Sequence, residues 1–240
     1  MSRVVSAARL HVLQRNNIVT QVPLIFGIAY TISVLIVLLI HVQGASVLVG
    51  PGTSGATGAV HGAVIGAAAV SSMMLAAYSL PHALSLSYSR RTFLLGTYVV
   101  FFITAALIGV LFGIAAALEE AFDGYGIGHY SVAVPYLTGT AGAFEVAAFS
   151  TALALCAMAS AFLIPMLYRR VGLMRLWAIT GAVLVVLLLL VAWATITDGW
   201  AAVGQWLLDQ NGFTWAGWLV AATGVATVAN WLTIRRIPAE

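Results

Sequence analysis

Six stretches of this chain, at about 22–42, 58–80, 92–118, 143–167, 176–196 and 213–234, are apolar over the length that crosses a hydrocarbon layer. About 20 helical residues cover a layer roughly 30 Å thick, and a backbone in lipid can satisfy its polar groups over that length only as a helix or within a closed barrel. The expected fold is an all-α membrane protein, a single transmembrane domain over 1–240 with six transmembrane helices. An N-terminal amphipathic surface helix at 1–21 and a short outer helix before the last span complete it. Composition agrees. A water-soluble domain of 240 residues needs a polar skin, and a chain that is 62% hydrophobic and 7% charged cannot supply one.

The arginines orient the spans. All ten basic residues are arginine, in a chain rich in Ala, Val and Gly, which points to a GC-rich bacterial coding bias. Arg3, Arg9 and Arg15, then Arg90 and Arg91, then Arg169, Arg170 and Arg175, then Arg235 and Arg236 fall in alternate connections. Glu119, Glu120, Asp123, Glu145, Asp198 and Asp209 fall in or at the edge of the others. By the positive-inside rule both termini and the 80–92 connection are cytoplasmic, in a bacterial cytoplasmic membrane, with lipid as the surrounding partner. The arginines sit as pairs or singles at the ends of apolar runs and not as a patch, so the pI near 9.3 does not indicate nucleic acid.

Val4, Ala8 and Val12 lie at four-residue intervals, giving 1–21 one modest apolar stripe for a helix lying on the membrane surface. The alternative for this segment is a signal peptide with the arginines as its basic leader. Gly58, Gly62 and Gly66 share one face of the second span, and Gly109 and Gly113 repeat the device on the third; both are expected to be close-packing faces. Pro135, Gly139 and Gly142 interrupt the start of the long apolar run after 131, so a short interfacial or re-entrant piece is expected before the fourth span. Residues 198–211 read as a small amphipathic helix with Trp200, Val203 and Leu207 on one side. Trp215, Trp218 and Trp231 suit the interfacial belts.

Several features bear on chemistry. Gly52 to Gly55, Gly-Thr-Ser-Gly, matches the nucleophile signature of intramembrane serine proteases, but that chemistry needs a base histidine on a later span and no histidine follows His129. His41, His61 and His129 lie toward the outer side and His11 and His82 toward the cytoplasm, so haem or metal binding, and with it a membrane-embedded redox protein, has only the outer level available. No metal site is assigned. The lone Cys156 lies inside an apolar run and offers neither a disulfide nor a thiolate cluster. Glu145 is the one acid inside an apolar run; a hydrated outer mouth is the preferred reading and a proton or substrate relay the other. Ser71, Ser72, Met73, Met74 and Tyr78 bring polar, flexible and aromatic groups to the inner half of the second span, where they either pack between helices or line a substrate path. With no lysine, the chain has no phosphate-binding loop of its own and no catalytic residues are assigned.

The stretch 79–96 is an island of polar and basic residues between two spans. Pro81 can open a helical turn, Leu84 and Leu86 give it apolar groups to bury, and Arg90-Arg91 close it. The run ALSLSYSRRTFLLGT at 83–97 is similar to the cytoplasmic connection between the second and third spans of the permease subunits of type-2 ABC transporters, mostly bacterial exporters. The order of surface helix, six spans, short outer loops and a small helix before the last span resembles that family over the whole chain; the motif covers about 15 residues. Tyr88 stands where the family usually has glycine.

The resemblance implies a transport subunit and not an enzyme. A separate cytoplasmic ATPase, two copies of it, would carry ATP and Mg and grip Pro81, His82, Leu84, Leu86, Tyr88, Arg90 and Arg91, with help from Arg169 and Arg170. A second permease, an identical chain in the simplest case, would complete the transporter. A small amphipathic or hydrophobic, drug-like substrate would pass between the two, near the second and fifth spans.

Overall fold

A computed structural model describes residues 18–42, 57–85, 89–128, 130–133 and 135–235. Residues 1–17 of the expected surface helix, the 52–55 motif, Leu86, Tyr88, His11, His129 and Arg236 lie outside them, as do the side chains of Pro81 and Leu84. The described elements are helical: α1 Ile18–Val42, α2 Thr57–Met74, a π-helical turn Leu75–Ser79, α3 Leu80–Ser85, α4 Arg90–Ala121, α5 Pro135–Thr138, α6 Ala143–Ile196, α7 Trp200–Leu208 and α8 Gly212–Ile234. Among the described residues, five helices are long and apolar enough to cross a membrane, as a multi-pass membrane protein requires. The short α5 stands where an interrupted piece is expected, and α1 begins four residues ahead of the expected first span.

Two expected spans, 143–167 and 176–196, belong to one 54-residue element, α6. A straight helix of that length would run about 80 Å, more than twice a hydrocarbon layer. It is broken at Gly172, whose φ of 77° and ψ of 170° only glycine adopts without strain. The Arg169 guanidinium bonds the Ala77 carbonyl at the end of α2, while the N–H of Gly212 bonds Glu145 at the start of α6. The chain therefore passes Gly172 at one end of the bundle and reaches Gly212 at the other, roughly 40 Å away. Segment 173–196 covers that return. Gly172→Ala is expected to cost about 1–3 kcal/mol and lower the apparent Tm by several degrees, whereas Gly181→Ala, at a glycine with open space around it, leaves it unchanged. A thermal melt of the two variants in nanodiscs compares them.

The core forms where α4, the 143–171 arm of α6, α2 and α1 meet. Phe93, Phe101 and Phe162 are fully buried and pack ring against ring between α4 and α6, and Phe26 of α1 meets Phe112 edge-on at 5.0 Å. In lipid such burial carries little hydrophobic gain, so close van der Waals fit and interhelical hydrogen bonds hold the helices together. Ser72 of α2 donates to the Met158 carbonyl of α6 at 3.0 Å. Asn230 of α8 donates to the Ala159 carbonyl at 2.8 Å and to the Tyr98 hydroxyl of α4 at 3.0 Å.

The 173–196 arm differs from the rest. Leu184, Leu187, Leu188, Leu189 and Leu190 are each more than half exposed. A helix apolar on every face cannot stay in water, so lipid or another membrane helix covers it.

Candidate functional site

The arginines gather at one end of the bundle. Ser89 caps α4, accepting the Thr92 N–H at 3.1 Å, and this places Arg90 and Arg91 in the first turn, where the helix dipole disfavours cations. Their position has another cause. Arg90 donates to the Arg235 carbonyl at 3.2 Å, at the C-terminal end of α8 where a cation is favoured. Arg169 donates to Ala77 at 2.6 Å, and the Arg235 guanidinium lies 5.7 Å from the Trp231 ring centre. Of the residues expected to grip a cytoplasmic partner, Arg90 and Arg169 thus also bind this chain's own backbone. Arg91, Arg170 and His82 are exposed. Between them the backbone of Pro81 and Leu84 lies in α3, whose Leu80 and Ala83 are buried against the bundle.

The acids gather at the opposite end, and two of them are fully buried. Glu145, in the first turn of α6, accepts the N–H groups of Thr140 and Ala141 on one oxygen at 3.0 and 3.1 Å and that of Gly212 on the other at 3.0 Å. The hydrated mouth expected of Glu145 is therefore corrected: it has no exposed surface, and its partners are three amides from two segments. Gly139, at φ +43°, lets the chain fold over this carboxylate, since a Cβ there would collide with it.

Glu119 mirrors it at the C-terminal turn of α4, where the dipole disfavours an anion. Val132 and Ala133 donate to one of its oxygens at 2.8 and 2.9 Å, and Tyr125 to the other at 2.7 Å. The Tyr125 and Tyr30 hydroxyls are 2.6 Å apart; with its single hydrogen spent on Glu119, Tyr125 accepts from Tyr30. Burial first, and then the hydrogen bond and negative charge of Glu119, pushes the Tyr125 phenol above its ordinary range, so it remains a donor. The Tyr130 phenol is likewise raised, chiefly by its hydrogen bond to Asp123. α7 meets α8 at this end through Trp206, which packs edge-on to Trp215 and Trp218.

The candidate path residues separate. Ser72 is fully buried, Ser71 reaches Gln21 at 3.5 Å, and Met73 is half-buried. Met74 and Tyr78 point outward, 54% and 74% exposed. They continue a four-residue ridge of Gly58, Gly62, Gly66 and Val70 along the whole outer face of α2. Gly58, Gly62 and Gly66 have open space where a Cβ would stand, so the close-packing face expected there meets no helix among the described residues. Gly109 and Gly113 do pack: a Cβ at either would strike Thr151 or Ala147 of α6. His61 shares a 3.2 Å hydrogen bond with Ser150 and lies 4.1 Å from the Phe112 ring centre. His41 lies at the end of α1.

No protein-family model, curated protein or solved structure matches the chain.

The residues missed in the sequence are Glu119, Tyr30, Tyr125 and Asn230. Glu119 carried a signal: an acid in the last turn of an apolar helix opposes the dipole and so must be held by donors from elsewhere. Asn230 carried another, as a lone amide within an otherwise apolar span needs partners on neighbouring helices.

Proposed function

We propose that this chain is the membrane-spanning subunit of an ATP-driven exporter in a bacterial cytoplasmic membrane, made up of two such subunits and two copies of a separate ATPase. It crosses the bilayer six times, the break at Gly172 separating the fourth and fifth crossings, with both termini in the cytoplasm. The observation that carries this reading is the arginine end. There the short α3 stands between two long helices, with exposed Arg91, Arg170 and His82 around it, while Arg90 ties the start of α4 to the end of α8 and Arg169 ties α6 to the turn just ahead of α3. A short helix held this firmly transmits a push from a cytoplasmic partner into the spans. ATP and Mg belong to that partner. The similarity of 83–97 to the corresponding connection of type-2 ABC permeases points the same way.

The uncovered ridge of α2, glycine in one half and Val70, Met74 and Tyr78 in the other, supports a route for a small amphipathic or hydrophobic cargo between two permeases. Ser72 and Glu145, fully buried and hydrogen-bonded within the chain, take no part in it.

The test is gentle solubilisation of the tagged chain from its native membrane. A roughly stoichiometric subunit with a phosphate-binding loop is expected to co-purify; a chain that comes out without any ATPase contradicts the proposal. Substituting Leu84, Leu86 or Arg90 with Asp is expected to reduce transport per ATP hydrolysed by about tenfold or more, with insertion unchanged. Transport at the parent rate in all three would overturn the coupling role of this segment.

A further inference from the structure

At Ala77 the backbone leaves regular α-helical bonding. The chain widens into a π-turn over Leu75–Ser79, and Pro81, four residues beyond Ala77, has no N–H to give its carbonyl. Single π-turns inside α-helices frequently mark functional positions. Leu75, Ala76, Ser79 and Leu80 around the turn are buried, while Ala77 is half-buried and its carbonyl meets Arg169 at the exposed edge of the bundle. Arg169 fills the gap with a charge-assisted bond of 2.6 Å, from the arm of α6 three residues before its break at Gly172.

We propose that Leu75–Ser79 is a hinge between α2 and α3, and that Arg169 is its latch. While the guanidinium holds Ala77, α3 follows the 143–171 arm of α6; with the bond broken, only the packing of Leu80 and Ala83 holds α3, and its angle to α2 varies more widely. Arg169 is then a positioning residue. It sets the angle of α3 through α6 and does not act by meeting a partner. This deepens the coupling role proposed for the 80–92 segment, but the latch belongs to the chain alone and is tested without any ATPase.

Hydrogen exchange on the full chain in lipid nanodiscs reads it. Arg169→Gln, whose amide is uncharged and shorter by two atoms of reach, is expected to raise exchange across 75–85 on the order of tenfold, with amides at 143–165 unchanged, and Arg169→Lys, which keeps a long cationic donor, to stay within about threefold of the parent. Pro81→Ala returns an N–H to the position that can serve Ala77, so in that background Arg169→Gln is expected to change exchange less than about twofold. The angle is read by electron–electron distance measurement between spin labels at His82→Cys and Leu173→Cys in a Cys156→Ser chain. Arg169→Gln is expected to broaden the distribution about twofold, and Pro81→Ala to narrow it again. Unchanged exchange at 75–85 in Arg169→Gln, or the same tenfold rise with alanine at 81, overturns the latch. Loss of the ATPase partner would overturn the functional reading and leave these results standing.

Discussion

Gly109→Ala is expected to separate α4 from α6 and leave little folded protein. A Cβ at 109 would fall on the Thr151 hydroxyl and 2.7 Å from the Ala147 carbonyl, a backbone atom that no rotamer change can move aside. Alanine normally gains about 1 kcal/mol over glycine within a helix. Here overpacking between two rigid backbones outweighs that gain, by about 3 kcal/mol or more. The cost falls on the contact that also buries Phe101, Phe112 and Phe162, so the helices cannot relax apart without losing the core. Gly62→Ala is the matched control, since nothing stands within 4 Å of its new methyl group. Monodisperse yield after solubilisation and the apparent Tm are expected to fall sharply for Gly109→Ala and to hold for Gly62→Ala. Equal behaviour of the two would mean that the α4–α6 contact is not as described.

Glu145→Ala is expected to be comparably damaging at the other end of the bundle. The carboxylate is fully buried and is the common acceptor for the N–H groups of Thr140, Ala141 and Gly212, so alanine leaves three donors without their partner, that of Gly212 in a fully buried position. A buried donor left without its acceptor costs on the order of 1–3 kcal/mol. The bond to Gly212 joins the start of α8 to the start of α6 across 67 residues of sequence, so the damage is specific. Exchange of the amides at 138–146 and 211–216 is expected to rise together in Glu145→Ala. In Glu145→Gln, which keeps an acceptor of the same shape, the rise is smaller. Faster exchange in one of the two segments alone would contradict the shared anchor.

The long apolar helices were legible because the thickness of a bilayer fixes the length of an apolar helix, whatever it packs against. The gathering of Arg90, Arg169 and Arg235 at one end of the bundle was legible for a similar reason, since charge at span ends follows topology. What spacing alone cannot reveal is the identity of the neighbour. Gly58, Gly62 and Gly66 repeat the same interval as Gly109 and Gly113, yet one set faces outward and the other touches Ala147 and Thr151. Ser72 and Met74 are two residues apart and face opposite ways. The burial of Glu145 was hidden because its donors arrive from a turn that folds back and from a helix far along the chain. Arg169 was expected to meet a partner protein, and its tie to Ala77 depends on a π-turn that apolar periodicity does not reveal.

The orientation of the bundle is the claim on which the functional reading stands, and it can be measured directly. In a Cys156→Ser chain expressed in its native membrane, cysteines replace His82 at the arginine end and Phe122 at the acid end, both exposed positions. A membrane-impermeant maleimide applied to intact cells is expected to label Phe122→Cys at once and His82→Cys only after the membrane is permeabilised. Labelling of His82→Cys in intact cells would place α3 outside the cell, beyond the reach of any cytoplasmic ATPase, and would contradict the account.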